Sequence, residues 1–215
     1  MTKRCSVPAI GFMAIAVVLS TGGLARGASH LWRVNEVFSN ASGTIQFIEL
    51  HECCGAMAEN FIGGHNMFCD VTGGNFVFPG HLAGDTANRY LLLATTTFAA
   101  LPGAPTPDYI IPANFFAING DTIRYSTSAN YDFFTFGAGQ LPTGGVQSVQ
   151  LTNYTPDQFV VGVNSPTNYA GQTASVNAAP VPTVSQWGLV VMALLVMAAG
   201  TAALRGRGFA SSRAG

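Results

Sequence analysis

The middle of this 215-residue chain predicts an all-β fold, a sandwich or a barrel. Short apolar, β-branched and aromatic runs recur through it, Gly and Pro punctuate them, and no long stretch between the termini has helical periodicity. The region from Ser29 to Ala179, about 150 residues, is long enough for one domain with a real core.

The elements come in order along the chain. Leu31-Trp32-Arg33-Val34-Asn35-Glu36-Val37-Phe38 is a strand-like run closed by the turn cluster Ser39-Asn40-Ala41-Ser42-Gly43. Thr44-Ile45-Gln46-Phe47-Ile48-Glu49-Leu50 resumes, which is a hairpin signal. Further runs are Phe76–Phe78, Tyr90–Ala94, Thr122–Tyr125, Phe133–Phe136 and Val146–Val149. Alternation places Gln46 and Arg124 on the outward face. The domain is expected over 29–151. Residues 152–180, rich in Asn, Thr, Pro, Ser, Ala and Gly, read as an extended linker that presents the C-terminal segment.

Both ends are targeting segments. Lys3 and Arg4 precede an apolar stretch from Val7 to Leu19 and small residues at Gly23, Ala25, Gly27 and Ala28, the order of a secretory signal peptide over 1–28. Cleavage after Ala25, Gly27 or Ala28 fits equally, and an uncleaved anchor is the alternative. Cys5 lies before the apolar core and is not a lipoprotein acceptor. At the other end, Trp187 opens an uncharged apolar run to Leu204, followed by Arg205, Arg207 and Arg213. A helix over 187–204 would be roughly 27 Å long, close to the ~30 Å hydrocarbon core of a bilayer. Trp187 suits the outer headgroup level, and Arg205 and Arg207 would stay on the cytoplasmic side. The helix is expected to be apolar on every face and to make no seam with the domain, with Pro182-Thr183 extended and exposed before it.

Charge narrows the partners. Six of the nine basic residues sit in the targeting segments, so Arg33, Arg89 and Arg124 face ten carboxylates between them, a net charge of −7. A lysine-free acidic domain lacks the cationic surface that nucleic acid or anionic lipid requires.

The C-terminal order resembles a known family. Val181-Pro182-Thr183-Val184-Ser185-Gln186-Trp187-Gly188, an apolar helix and an arginine cluster look like the IPTL-CTERM sorting signals of Gram-negative bacteria, which read Ile-Pro-Thr-Leu-x-x-Trp-Gly. Pro182, Thr183, Trp187 and Gly188 match in identity and spacing, and Val181 and Val184 are conservative departures. The resemblance implies recognition of 181–215 at the inner membrane by an exosortase-type protease, removal of the helix, and delivery to the surface or outside. A permanent single-pass anchor is the alternative.

A second resemblance covers residues 31–149. Val34-Asn35-Glu36-Val37 and Gln46-Phe47-Ile48-Glu49-Leu50 are similar to the opening strands of bacterial lamin-tail domains. Asn60-Phe61-Ile62-Gly63-Gly64, Tyr90-Leu91-Leu92-Leu93-Ala94 and Asn119-Gly120-Asp121-Thr122-Ile123 come in that family's order. His65 stands where a Trp usually succeeds the Asn turn, and Leu101–Pro112 is longer than the pattern. This resemblance implies an immunoglobulin-like sandwich serving as an accessory or interaction module.

Candidate chemistry is sparse. Glu36 and Glu49, on neighbouring strands, have the residue types of an acid/base pair; the resemblance makes them structural acceptors of backbone N–H groups. No Gly-x-Ser-x-Gly elbow, His-Glu-x-x-His pair or phosphate loop occurs. After signal removal Cys53, Cys54 and Cys69 remain. An oxidising exterior favours a bridge from Cys69 to Cys53 or Cys54, a loop of about fifteen residues worth roughly 3 kcal/mol. Soft-metal binding by His51, Cys53, Cys54, His65 and Cys69 is the alternative, weakened because adjacent cysteines on a strand point to opposite faces. The reading is a non-enzymatic exported surface protein with no cofactor. An extracytoplasmic metal-dependent binder or enzyme built on the His/Cys cluster is the second.

Overall fold

The computed structural model of the chain describes residues 28–154, 156–178, 188 and 190–198. Residues 1–27 of the signal segment, residues 181–187, and Arg205 and Arg207 lie outside them. The described chain is mostly β: β1 Trp32–Ser39, β2 Gln46–Glu52, β3 Asn66–Cys69, β4 Asn75–Val77, β5 Tyr90–Thr95, α1 Thr96–Ala99, β6 Tyr109–Ile111, β7 Asp121–Tyr125, β8 Asp132–Phe136, β9 Gln147–Tyr154 and β10 Asp157–Val163. They form a six-stranded sheet in the order β10-β9-β1-β2-β5-β6 and a four-stranded sheet in the order β4-β3-β7-β8. The β5–β6 pair is parallel and every other named pair is antiparallel.

Alternation explains which side chains meet between the sheets. Trp32, Val34, Ile48, Leu50, Leu91 and Leu93 from the larger sheet pack with Met67, Ile123, Tyr125, Phe134 and Phe136 from the smaller one. A side chain of this size contributes about 1.5–3 kcal/mol when fully buried. In β1 the register shifts between Val34 and Glu36, a bulge that leaves Val34 and Val37 both facing the core. β7 and β8 bury every second residue, as strands with one covered face do.

β2 is different: six of its seven residues are buried. The reason is a second apolar layer on its other face, where Phe38, Phe47, Leu92 and Ala94 pack against Phe98, Val176 and Ala178. Gln46 is 0 % exposed, which corrects the outward placement. Its amide accepts from Phe115 N (2.8 Å) and donates to Phe116 O (2.9 Å), so a polar side chain is satisfied inside by the loop before β7. Arg124 is outward as expected and holds Asp70 at 2.7 Å.

The linker at 152–180 is also corrected. β9 crosses residue 151, β10 pairs with it along its length, and residues 164–178 return over the outer face of the larger sheet. Their polar composition belongs to an edge strand with exposed sides and to a strap held by hydrogen bonds, so few apolar anchors did not mean an unpacked chain. Gly188 and residues 190–198 are helical, and Val190 to Met197 have apolar side chains open to solvent. Among the described residues, no helix is long and apolar enough to cross a membrane.

Candidate functional site

The His/Cys cluster does not converge. Cys53 and Cys54, just past β2, are bonded to each other, and Cys69 at the end of β3 is a free thiol buried in the core. This overturns the expected bridge to Cys69. β2 ends on the larger sheet and β3 lies in the smaller one, so Cys69 points into the core while the adjacent pair sits at the surface. Burial and the neighbouring Asp121 and Asp70 carboxylates push the Cys69 thiol far up. Glu52, 0 % exposed, fixes the Cys53–Cys54 turn by accepting from Cys54 N, Gly55 N and Asn88 N at 2.9–3.1 Å.

The histidines go elsewhere. His51 stacks on Tyr90 with ring centroids 4.3 Å apart, and its Nδ1 meets the Tyr154 hydroxyl. Burial lowers its pKa despite the Glu52 charge. His65 Nδ1 meets Ser126 Oγ at 2.8 Å. Among the described residues, no group of three or more His, Cys, Asp or Glu side chains could hold a metal ion. The soft-metal alternative is therefore not supported.

What the fold does gather is a row of carboxylates on the outer face of the larger sheet. Glu36 and Glu49 are register partners on β1 and β2, each 1 % exposed, and Asp108 precedes β6. Each accepts a backbone N–H from one extended segment at alternate residues. Ser165 N reaches Glu36 Oε1 at 2.9 Å, Thr167 N reaches Glu49 Oε2, and Tyr169 N reaches Asp108 Oδ2 at 2.9 Å. The spacing is that of a strand laid across the sheet, with every second amide pointing down. Ser148 Oγ and Ser165 Oγ also donate to Glu36, Asn35 Nδ2 to Glu49 at 2.6 Å, and Leu92 N to Asp108 at 2.8 Å.

Burial raises the pKa of all three acids and outweighs these hydrogen bonds. Glu49 is pushed up to about 8 by burial and then by the Glu36 charge. The rest of the strap is closed on itself. Asn164, 1 % exposed, bridges Val146 O and both backbone groups of Val176, and Asn168 bridges Thr106 O and Gln172. Ala178 N donates to Gly145 O at 2.7 Å, pinning the last described residue before the C-terminal segment. Glu36 and Glu49 carry a sequence signal as acceptors of backbone N–H groups. Asp108 carries none, because nothing local marks an acid that acts on a segment 61 residues away.

A second feature lies between the open edges of the sheets. Phe134 and Phe136 of β8, Val149 of β9 and Phe159 of β10 line a groove of about 400 Å³, rimmed by Thr135 and Gln140. On the edge strand β10, Val160, Val161 and Val163 are about half exposed.

The model of the IPTL-CTERM motif family matches residues 179–207. The match begins at the residue after Ala178 and takes in Val181, Pro182, Thr183, Val184, Trp187, Gly188, Arg205 and Arg207. The chain thus carries a C-terminal sorting signal of exported proteins, which implies handling by an exosortase-type system and export toward the cell surface. No curated protein and no solved structure matches the chain.

Proposed function

We propose that this is a non-enzymatic surface or secreted protein, whose immunoglobulin-like, lamin-tail-like sandwich serves as an adhesion or interaction module. In this reading the signal peptide carries it across the inner membrane and the 187–204 helix holds it there transiently. An exosortase-type protease then cuts near Pro182-Thr183 and frees the sandwich.

The observation that carries the reading is the sorting-signal match at 179–207, placed directly after a folded all-β region. The apolar groove and the valine-rich β10 edge support an interaction role, since open strand edges are where added strands and partners bind. The vicinal disulfide fits an oxidising exterior.

Mass spectrometry of the surface fraction tests this. The mature chain is expected to lack the peptides through Arg205, and Pro182→Ala with Trp187→Ala is expected to retain them. Recovery of intact C-terminal peptides from the wild-type surface protein would establish a plain membrane anchor instead.

A further inference from the structure

The strap at 164–178 is the last folded segment before the sorting signal, and its leading half is held by titratable groups. Three consecutive downward amides of that half, at residues 165, 167 and 169, each end on a carboxylate, buried in Glu36 and Glu49 and half-buried in Asp108. The acids come from separate places in the chain, so no other element has to move when the strap does. We infer that Glu36, Glu49 and Asp108 form a proton-operated latch: protonated, they keep residues 165–169 docked on the sheet, and ionised, they let that stretch lift while Asn164 and the buried Val176 and Ala178 hold its two sides. The latch does not rest on the reading of 179–207 as a processing signal.

The chemistry comes from the groups that surround the row. Glu49 is faced by Glu36 from β1, Tyr90 from β5 and Tyr154 from β9, and the strap above it offers only Thr167 groups. Glu36 meets Ser148, Gln150 and Ser165, all neutral. Asp108 faces Tyr109 and Tyr169, and Arg89 lies over the Tyr169 ring, 5.8 Å from its centroid. No cation among these groups touches Glu36 or Glu49 to offset a second charge. A protonated carboxyl still accepts an N–H on its carbonyl oxygen, so the docked strap keeps its bonds. Ionised, Glu36 and Glu49 are like-charged neighbours shielded from water, and lifting the strap lets water reach them.

The sign is set by the direction of the shifts. The docked state binds more protons than the open state, so docking is complete below the ordinary carboxylate range and weakens as pH rises to about 8, where Glu49 ionises in place. One proton lost per opening corresponds to a change of up to about tenfold per pH unit.

Amide hydrogen exchange on the full-length chain in detergent, corrected for intrinsic rates, reads this directly. Protection at residues 165–169 is expected to fall by up to about tenfold per unit between about pH 5 and 8 and then level off, while β2 and β5 stay protected. Glu49→Gln keeps an acceptor for Thr167 N–H but cannot ionise, and is expected to cut that slope. Adding Glu36→Gln and Asp108→Asn is expected to flatten it; should the triple variant not fold, Glu49→Gln alone decides. A flat wild-type profile, an unchanged slope in Glu49→Gln, or loss of protection across both sheets together would overturn the latch. Mass analysis of the mature C-terminus is independent: an uncleaved chain with a working latch removes only the processing reading.

Discussion

Replacing Gln46 with leucine tests whether this domain depends on a buried polar bridge or only on its apolar layers. Gln46 is 0 % exposed, and its side chain satisfies Phe115 N–H and Phe116 C=O, in residues that are themselves at most 1 % exposed. It also donates to Ser39 Oγ at 3.3 Å. Leucine fills similar space but leaves both backbone groups without a partner and without water. Each stranded group costs about 1–3 kcal/mol, and the more apolar side chain returns roughly 1 kcal/mol. Gln46→Leu should therefore destabilise the domain by about 1–5 kcal/mol, lowering Tm by roughly 2–20 °C for a domain of this size. Urea unfolding followed by fluorescence measures it, with the slope against denaturant unchanged. A midpoint equivalent to less than about 0.5 kcal/mol from wild type would refute the reasoning, because it would mean the 115–116 loop finds other partners at no cost.

Other outcomes rest on the same structure. Non-reducing peptide mapping should recover Cys53 and Cys54 in one bridged peptide and Cys69 as a thiol that reacts only after unfolding. Changing both Cys53 and Cys54 to serine should cost less than about 1 kcal/mol, since bonding neighbours closes almost no loop, against roughly 3 kcal/mol for a bridge to Cys69. Gly74→Ala should destabilise by about 1–3 kcal/mol in the same assay, because the added Cβ would meet the Phe115 carbonyl oxygen at 2.2 Å. The His51 ring should titrate below its ordinary 6.5 by NMR, so the neutral form is the folded one and stability should decline as pH falls below 6.5.

Much of the fold is legible in the sequence because its strands obey simple periodicity. β1, β2, β5, β7 and β8 sit where alternating apolar runs place them, and the turn at residues 39–43 joins β1 to β2. The failures share one physical source, which is partners distant in sequence. Gln46 lies on the inner face of β2 with Ile48 and Leu50, and it reads as outward because nothing local shows that the 115–116 backbone will satisfy its amide there. β10 and the strap read as linker because their stability comes from hydrogen bonds to distant partners, which leaves no apolar signature in sequence. Cys69 pairs with its sequence neighbours on spacing alone, whereas the sheets carry it inward. The sorting signal is readable because it is a linear motif whose meaning does not depend on folding.

The order in which this domain can assemble is set by the position of β1. It lies at the middle of the larger sheet between β2 and β9, so one flank closes at once and the other waits for almost the whole chain. The bond from Val34 N to Asp132 spans 98 residues, and that from Ser165 N to Glu36 spans 129. Pairings this distant in sequence make slow folders, since loop closure precedes any return from contact. A chain threaded outward from its N-terminus would hold an unfinished hairpin of β1 and β2 until residues 147–169 had crossed. The sorting signal at 179–207 follows within ten residues. Completion of the sheet and arrival of that signal would therefore coincide, and a half-exported chain would present the unpaired edge of β1 to whatever chaperones occupy the far side.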